Sequence, residues 1–325
     1  MILAGDIGGT KTNVALFEIG QTGKPLAQRS FPSNKYDSLE SIVAEFVAEH
    51  QPQLTHACFG IAGPVKDGQV KTPNLKWIVD AQTLAQTLKL KRVNLINDLE
   101  ATAYGVEGLS EAQLHTLNEG HEEHGGHRAL IAAGTGLGMA GLFYDGKHYR
   151  PIASEGGHID YAPRTAIEHE LLNYMRAQVG GRVSYERVLS GPGLFNIYSF
   201  LRDHKYGEEP VWLAEEIKAG DGSAAVSIAG LNGKSELAVK ALDLFAEIYG
   251  SMAGNLALIL KATGGLYIGG GIAPKLIGKL KDGTFMRAFR DKGRMSALVS
   301  NVPVRVILDD KAALYGAARC AVEVI

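Results

Sequence analysis

The chain has little of what several protein classes require. Two cysteines in 325 residues, Cys58 and Cys320, cannot build a disulfide framework. Both lie in apolar surroundings, which predicts buried thiols in a reducing compartment. No excess of either charge is present: 33 Lys and Arg against 35 Asp and Glu leave a formal net charge of −2, so there is no basic field for nucleic acid. No segment reaches the ~18 uncharged apolar residues of a membrane span. Met1-Ile2-Leu3-Ala4-Gly5-Asp6 carries no basic stretch of a secretory leader. The expectation is a cytoplasmic protein without a membrane or nucleic-acid partner. What is abundant is glycine, 40 residues against an average near 7%. The glycines cluster at Gly8-Gly9, Gly156-Gly157 and Gly269-Gly270-Gly271 without a short period, which excludes collagen and points to turns where backbone approaches a ligand closely.

The length predicts two domains. Residues 2–6, 13–17 and 26–31 read as strands joined by short turns, hence antiparallel neighbours. Ser38 caps a helix over 39–50; 56–61 is strand-like, 81–88 helical, and 93–96 a strand ending in Asn97-Asp98 before a helical run over 99–104. Residues 110–128 are polar and read as a surface connection. A second unit then opens as the first did: strand 129–133, glycine turn Gly134-Thr-Gly-Leu-Gly138, strand 139–144. Strand, glycine turn, strand thus occurs twice, the mark of a duplicated domain. Helices follow over 166–179, 192–202, 211–219 and about 235–260, then a strand at 266–268 with Pro274 in the first turn of the next helix, a strand at 304–308 and a closing helix over 311–324.

Three familiar patterns fail. Gly136-Leu-Gly138-Met-Ala-Gly141 fits a dinucleotide fingerprint, but strand rather than helix follows it. Gly233-Lys234-Ser235 resembles the end of a Walker loop, whose first glycine would fall on Ile228. His121-Glu-Glu-His124 has its histidines three apart, not the four of a zinc helix.

Asp6-Ile-Gly-Gly-Thr10-Lys-Thr12-Asn13 is the motif with chemical content. Gly8 and Gly9 let backbone approach phosphate oxygens; the N–H groups of Thr10 and Lys11 and the hydroxyls of Thr10 and Thr12 are donors for anionic oxygen. Asp6 at the strand end suits Mg²⁺ held through water. A plain hairpin is equally open on the pattern alone. The second turn, with Gly134, Thr135 and Gly136, favours a nucleotide clamped between duplicated halves, and Gly269, Gly270 and Gly271 leave room for a base or ribose. Asp98 follows a strand, at the end where α/β clefts open. A carboxylate there could take a hydroxyl proton, or Asn97 and Asp98 could merely cap the next helix; pattern alone favours the cap. Glu155, His158 and Glu186 are polar partners for a ring of hydroxyls, or individually surface charge and a satisfied histidine.

These residues resemble a family. Gly5-Asp-Ile-Gly-Gly-Thr-Lys-Thr-Asn13, Ile61-Ala-Gly-Pro64, Asn94-Leu-Ile-Asn-Asp98, Gly134-Thr-Gly-Leu-Gly138, Glu155-Gly-Gly-His-Ile-Asp160, Glu186-Arg-Val-Leu-Ser-Gly-Pro-Gly193, Gly269-Gly-Gly-Ile-Ala-Pro274 and Asp291-Lys-Gly-Arg294 follow, in order, the blocks of the bacterial glucokinases. Those are members of the actin-like ATPase/hexokinase superfamily, and the resemblance spans essentially the whole chain. It implies a two-domain α/β actin-like ATPase (ribonuclease H-like) fold with a duplicated core. The smaller domain would be 1–108 plus 309–325 and the larger 109–308, with sugar and ATP in the cleft between. It implies ATP phosphates on the Asp6 and Gly134 turns, adenosine by Gly269–Gly271, Mg²⁺ near Asp6, and sugar on Asn97, Asp98, Glu155, His158 and Glu186 with Asp98 as base. D-glucose is the expected substrate and a homodimer the expected assembly. Kinases for mannose, fructose or an N-acetylated sugar, and an idle sugar sensor on the same fold, are the rivals. The related repressor and sugar-kinase family carries a cysteine-rich zinc motif after its histidine, which is absent here.

Overall fold

The computed structural model describes residues 1–72 and 75–323. The strands are β1 (Ile2–Ile7), β2 (Lys11–Phe17), β3 (Ala27–Pro32), β4 (His56–Ile61), β5 (Gln69–Lys71), β6 (Ile78–Asp80), β7 (Asn94–Asn97), β8 (Leu114–Asn118), β9 (Arg128–Ala133), β10 (Leu137–Tyr144), β11 (Tyr149–Ser154), β12 (Leu266–Gly269) and β13 (Val304–Ile307). The helices are α1 (Leu39–His50), α2 (Ala81–Leu88), α3 (Asp98–Val106), α4 (Ala166–Val179), α5 (Gly191–Asp203), α6 (Val211–Ala219), α7 (Gly222–Leu231), α8 (Glu236–Ile259), α9 (Ile277–Leu280), α10 (Thr284–Arg290), α11 (Ser296–Ser300) and α12 (Ala312–Glu323). The chain divides into two units, Met1–Leu114 with Lys147–Ala153 and Asp309–Ile325, and His115–Gly146 with Ser154–Leu308.

In the first unit the sheet order is β3-β2-β1-β4-β7. β1 is antiparallel to β2 and parallel to β4, and β4 is parallel to β7. Side chains alternate between sheet faces. Leu3 and Ile7 therefore pack with Ile42, Phe46 and Phe59 in one core, while Ile2 and Ala4 face Ala101, Leu314 and Ala318 in another. α3 and α12 thus cover the face on which Asp6 also lies. Cys58 and Cys320 are buried free thiols in that second core.

The other sheet runs β11-β10-β9-β12-β13-β8. β9 is antiparallel to β10 and parallel to β12, and β12 is parallel to β13. With the added edge strand β8 set aside and the strands of each sheet numbered in chain order, both sheets have the order third, second, first, fourth, fifth. The double occurrence of strand, glycine turn and strand is therefore the visible part of a duplicated core.

Two expectations need correction, and one helix has no readable pattern. The polar segment 110–128 is not all connection: it holds β8, whose Asn118 is buried and donates to the carbonyls of Ser300 (2.9 Å) and Val302 (2.6 Å). Polar residues at both faces of Leu-His-Thr-Leu-Asn hide its period. Pro274 does not begin a helix. A single turn closes there, Leu276 N–H to Ile272 O at 3.0 Å, with Ile272 N–H tied to Ala133 O at 3.2 Å, and α9 starts only at Ile277. α7 carries no legible stripe: Gly-Ser-Ala-Ala-Val-Ser-Ile-Ala-Gly-Leu buries only Val226 and Ala229.

Candidate active site

In the first unit, register fixes the site. Asp6 stands opposite Asn13, and Ile7 opposite Thr12. Directly opposed residues share a face, so Asp6 and Asn13 lie together and Thr12 lies on the other side. Asn13 Nδ2 donates to Asp6 Oδ2 at 3.2 Å, and Ser30 Oγ donates to Asn13 Oδ1 at 2.7 Å. Burial pushes the Asp6 carboxyl up to about 6; the Asn13 bond opposes this, the charges of Asp98 and Asp310 add to it, and Lys11 opposes it. Asn13 and Asp310 were not among the expected site residues. The hairpin register would have revealed Asn13; no local signal points to Asp310, which comes from the far end of the chain.

The turn itself is held from beneath. Gly8 N–H donates to Lys11 O at 3.0 Å, and Ser33 Oγ donates to Gly8 O at 2.8 Å. Thr12 is fully buried with its hydroxyl 2.9 Å from Ser33 Oγ. The structure therefore places Thr12 under the turn, whereas Thr10 and Lys11 are exposed and Gly8 and Gly9 partly so.

Asn97 and Asp98 lie on the same sheet edge as Asp6. Ile7 pairs with Ile61, and Ile61 with Asn97, so the carboxyl ends of three parallel strands are level. Asn97 caps α3: its Oδ1 accepts from Leu99 N–H at 2.9 Å, while its Nδ2 donates to Gly63 O at 3.0 Å. Asp98 Oδ1 also accepts from Leu99 N–H, at 2.9 Å. Capping and a chemical role are thus not exclusive. Asn97 does the capping and keeps one N–H and acceptor capacity on its oxygen.

In the second unit, Gly134 N–H donates to Gly136 O and Gly191 N–H to Gly134 O, each at 2.8 Å. Thr135 is the exposed tip. Glu186 is half-buried, and its Oε2 accepts from Leu137 N–H at 3.0 Å. Glu155 and His158 flank a short turn, both exposed, with His158 Nε2 3.9 Å from Glu155 Oε2. Arg182 donates to His158 O and to Asp160 Oδ1, fixing the exit of that turn. Gly269 is buried at the end of β12, and Gly270 and Gly271 are exposed. Gly270 has φ +82°, and a Cβ there would strike the Ala133 backbone, so only glycine joins the two strand ends at this point. The Gly269–Gly271 and Gly134 segments are therefore neighbours.

The sequence model of the Glucokinase family matches residues 3–324. The chain belongs to the glucokinase family. A glucokinase of Synechocystis is 43% identical to it over 99% of this chain and 98% of its own. The crystal structure of a glucokinase from an Antarctic psychrotroph superposes with a TM-score of 0.86 at 32% identity, covering 98% of each chain. A glucokinase of the ROK family from Streptomyces griseus, solved with glucose and AMPPNP, shares the fold at a TM-score of 0.64 and 23% identity, again over 98% of each chain. The fold of this glucokinase-family chain is that of the actin-like ATPases. Among the described residues no helix is long and apolar enough to cross a membrane.

Proposed function

We propose that this chain transfers the terminal phosphoryl group of ATP to the 6-hydroxyl of D-glucose, giving glucose 6-phosphate and ADP. One observation carries the reading most directly: within one sheet, the Asp6 glycine turn and the Asn97-Asp98 pair share a carboxyl edge, two strands apart, or about 10 Å. Phosphate donors and a carboxylate base at that separation suit a phosphoryl group with an acceptor hydroxyl beside it. Asp98 takes the hydroxyl proton as the oxygen–phosphorus bond forms and the bond to ADP breaks. Glu155, His158 and Glu186 hold other sugar hydroxyls together with Asn97. Gly8 to Lys11 and Gly134 to Gly136 line the phosphates, with Thr12 supporting the first turn from below, and Gly269 to Gly271 border the adenosine.

Magnesium fits the donor set in one way. Among the described residues no three His, Cys, Asp or Glu side chains group to hold a metal, so a cage of protein ligands is not on offer. A partly buried Asp6 carboxyl, raised to about 6 by desolvation and further by the charges of Asp98 and Asp310, suits a hydrated cation approached through water. When bound, Mg²⁺ would neutralise charge on the phosphates. The family resemblance supports a homodimer and a cytoplasmic location as further parts of this reading.

A panel of hexoses assayed with ATP and Mg²⁺ tests the substrate. Glucose is expected to have the highest kcat/KM; a higher value for mannose, fructose or an N-acetylated sugar would replace it. A polar pocket can reject a wrong epimer strongly.

A further inference from the structure

Two turns of the second unit converge on one peptide. Leu137 is the first residue of β10, directly after the Gly134–Gly136 turn, and its N–H donates to Glu186 Oε2 at 3.0 Å. Its carbonyl lies against Gly157, where any Cβ would collide with it. The Glu155–His158 turn thus rests on the same residue that Glu186 holds. The segment after Glu186 is tied back as well: Gly191 N–H donates to Gly134 O at 2.8 Å, Ser223 Oγ to Gly191 O at 2.7 Å, and Ser190 Oγ to Glu186 O at 2.7 Å.

We propose that Glu186 is a positioning residue for the nucleotide turn as well as a sugar ligand, with Oε2 fixing the turn through Leu137 N–H while Oε1 serves the sugar. This rests on the reading of the Gly134 turn as a phosphate site. One carboxylate then sets the distance between sugar and phosphates within this unit. Loss of the side chain loosens the nucleotide turn even when no sugar is present, which a residue that only binds sugar would not do.

Gly136 supplies a probe. A Cβ on it would meet Glu186 Oε2 at 2.5 Å and Cδ at 3.4 Å, with nothing else inside 4 Å. Its φ is outside the left-handed region, so alanine suits the backbone and only the far end of Glu186 has to move.

The test is the affinity for AMPPNP with Mg²⁺, without sugar, of the wild type, Glu186→Ala, Glu186→Gln, Gly136→Ala and the Gly136→Ala/Glu186→Ala double variant. Thermal unfolding of each is followed in parallel. Loss of one hydrogen bond predicts binding weakened about threefold to tenfold in Glu186→Ala. Glu186→Gln keeps an acceptor for Leu137 N–H and should stay within about twofold of wild type. Gly136→Ala should weaken binding only while Glu186 is present, so the double variant matches Glu186→Ala. Wild-type affinity in Glu186→Ala, or an equal effect of Gly136→Ala in both backgrounds, overturns the proposal; if Glu186→Ala is unfolded, wild-type affinity in Gly136→Ala, or a loss in Glu186→Gln as large as that in Gly136→Ala, overturns it. A wild type that does not bind the analogue overturns the nucleotide reading itself, and the proposal with it.

Discussion

Asp6→Asn separates the charge of Asp6 from its shape. The amide oxygen still accepts from Asn13 Nδ2, so the Ser30–Asn13–residue 6 chain is kept, and only ionisation is lost. Burial raises the carboxyl from 3.8 to about 6 in the folded protein. The folded state thus holds this proton more tightly than the unfolded state. The associated stability is complete below 3.8 and is lost as pH rises through about 6. At about 1.4 kcal/mol per factor of ten in proton affinity, ionised Asp6 opposes folding by about 3 kcal/mol at pH 8, and by about half of that at pH 5. Asparagine carries no such penalty. Urea denaturation of both proteins in EDTA, from pH 4 to pH 8, should show the variant gaining on wild type by about 2.5 kcal/mol across that range. The same variant should lose at least about tenfold in Mg²⁺-dependent turnover, since the charge that opposes folding is the one that attracts the cation. A stability difference that stays flat with pH would refute both the burial of this charge and its cause.

Two further outcomes are expected. Gly270→Ala combines a positive φ with a collision against the Ala133 backbone; it should cost about 1–3 kcal/mol in thermal unfolding and raise the KM for ATP, and unchanged stability would place the Gly269–Gly271 segment differently. Glu186→Gln should raise the KM for glucose more than that for ATP, because the amide keeps the Leu137 bond but loses its charge toward sugar hydroxyls; an equal rise in both would remove Glu186 from the sugar site.

The parts legible in the sequence were those encoded locally. Apolar runs on either side of Gly8-Gly9 and of Gly134–Gly138 marked both hairpins, and their recurrence marked the duplication. The long α8 showed its period because it buries residues from Leu237 to Ala257. What escaped depended on distant partners. β8 is a strand because it pairs at the sheet edge beside β13, with Asn118 tied to the carbonyls of Ser300 and Val302, and no window around residue 118 contains those partners. Pro274 suits a first turn, yet the segment before α9 is a single turn joined to Ala133 through Ile272 N–H, and the helix starts at Ile277. In the candidate site, residue types were readable while facing was not. Thr12 and Asp6 sit in one motif, yet the pleat sends them to opposite faces of the sheet. Asp310 reaches Asp6 electrostatically only because α12 packs on the face that Asp6 shares.

The central claim is that a carboxylate at the start of α3 accepts the proton of the sugar hydroxyl. Asp98→Asn keeps an acceptor for Leu99 N–H and removes the base. Glucose affinity, measured by direct titration, should stay within about tenfold of wild type while kcat with ATP and Mg²⁺ falls by ~10²-fold or more. Near-normal turnover in this variant would contradict the assignment of Asp98.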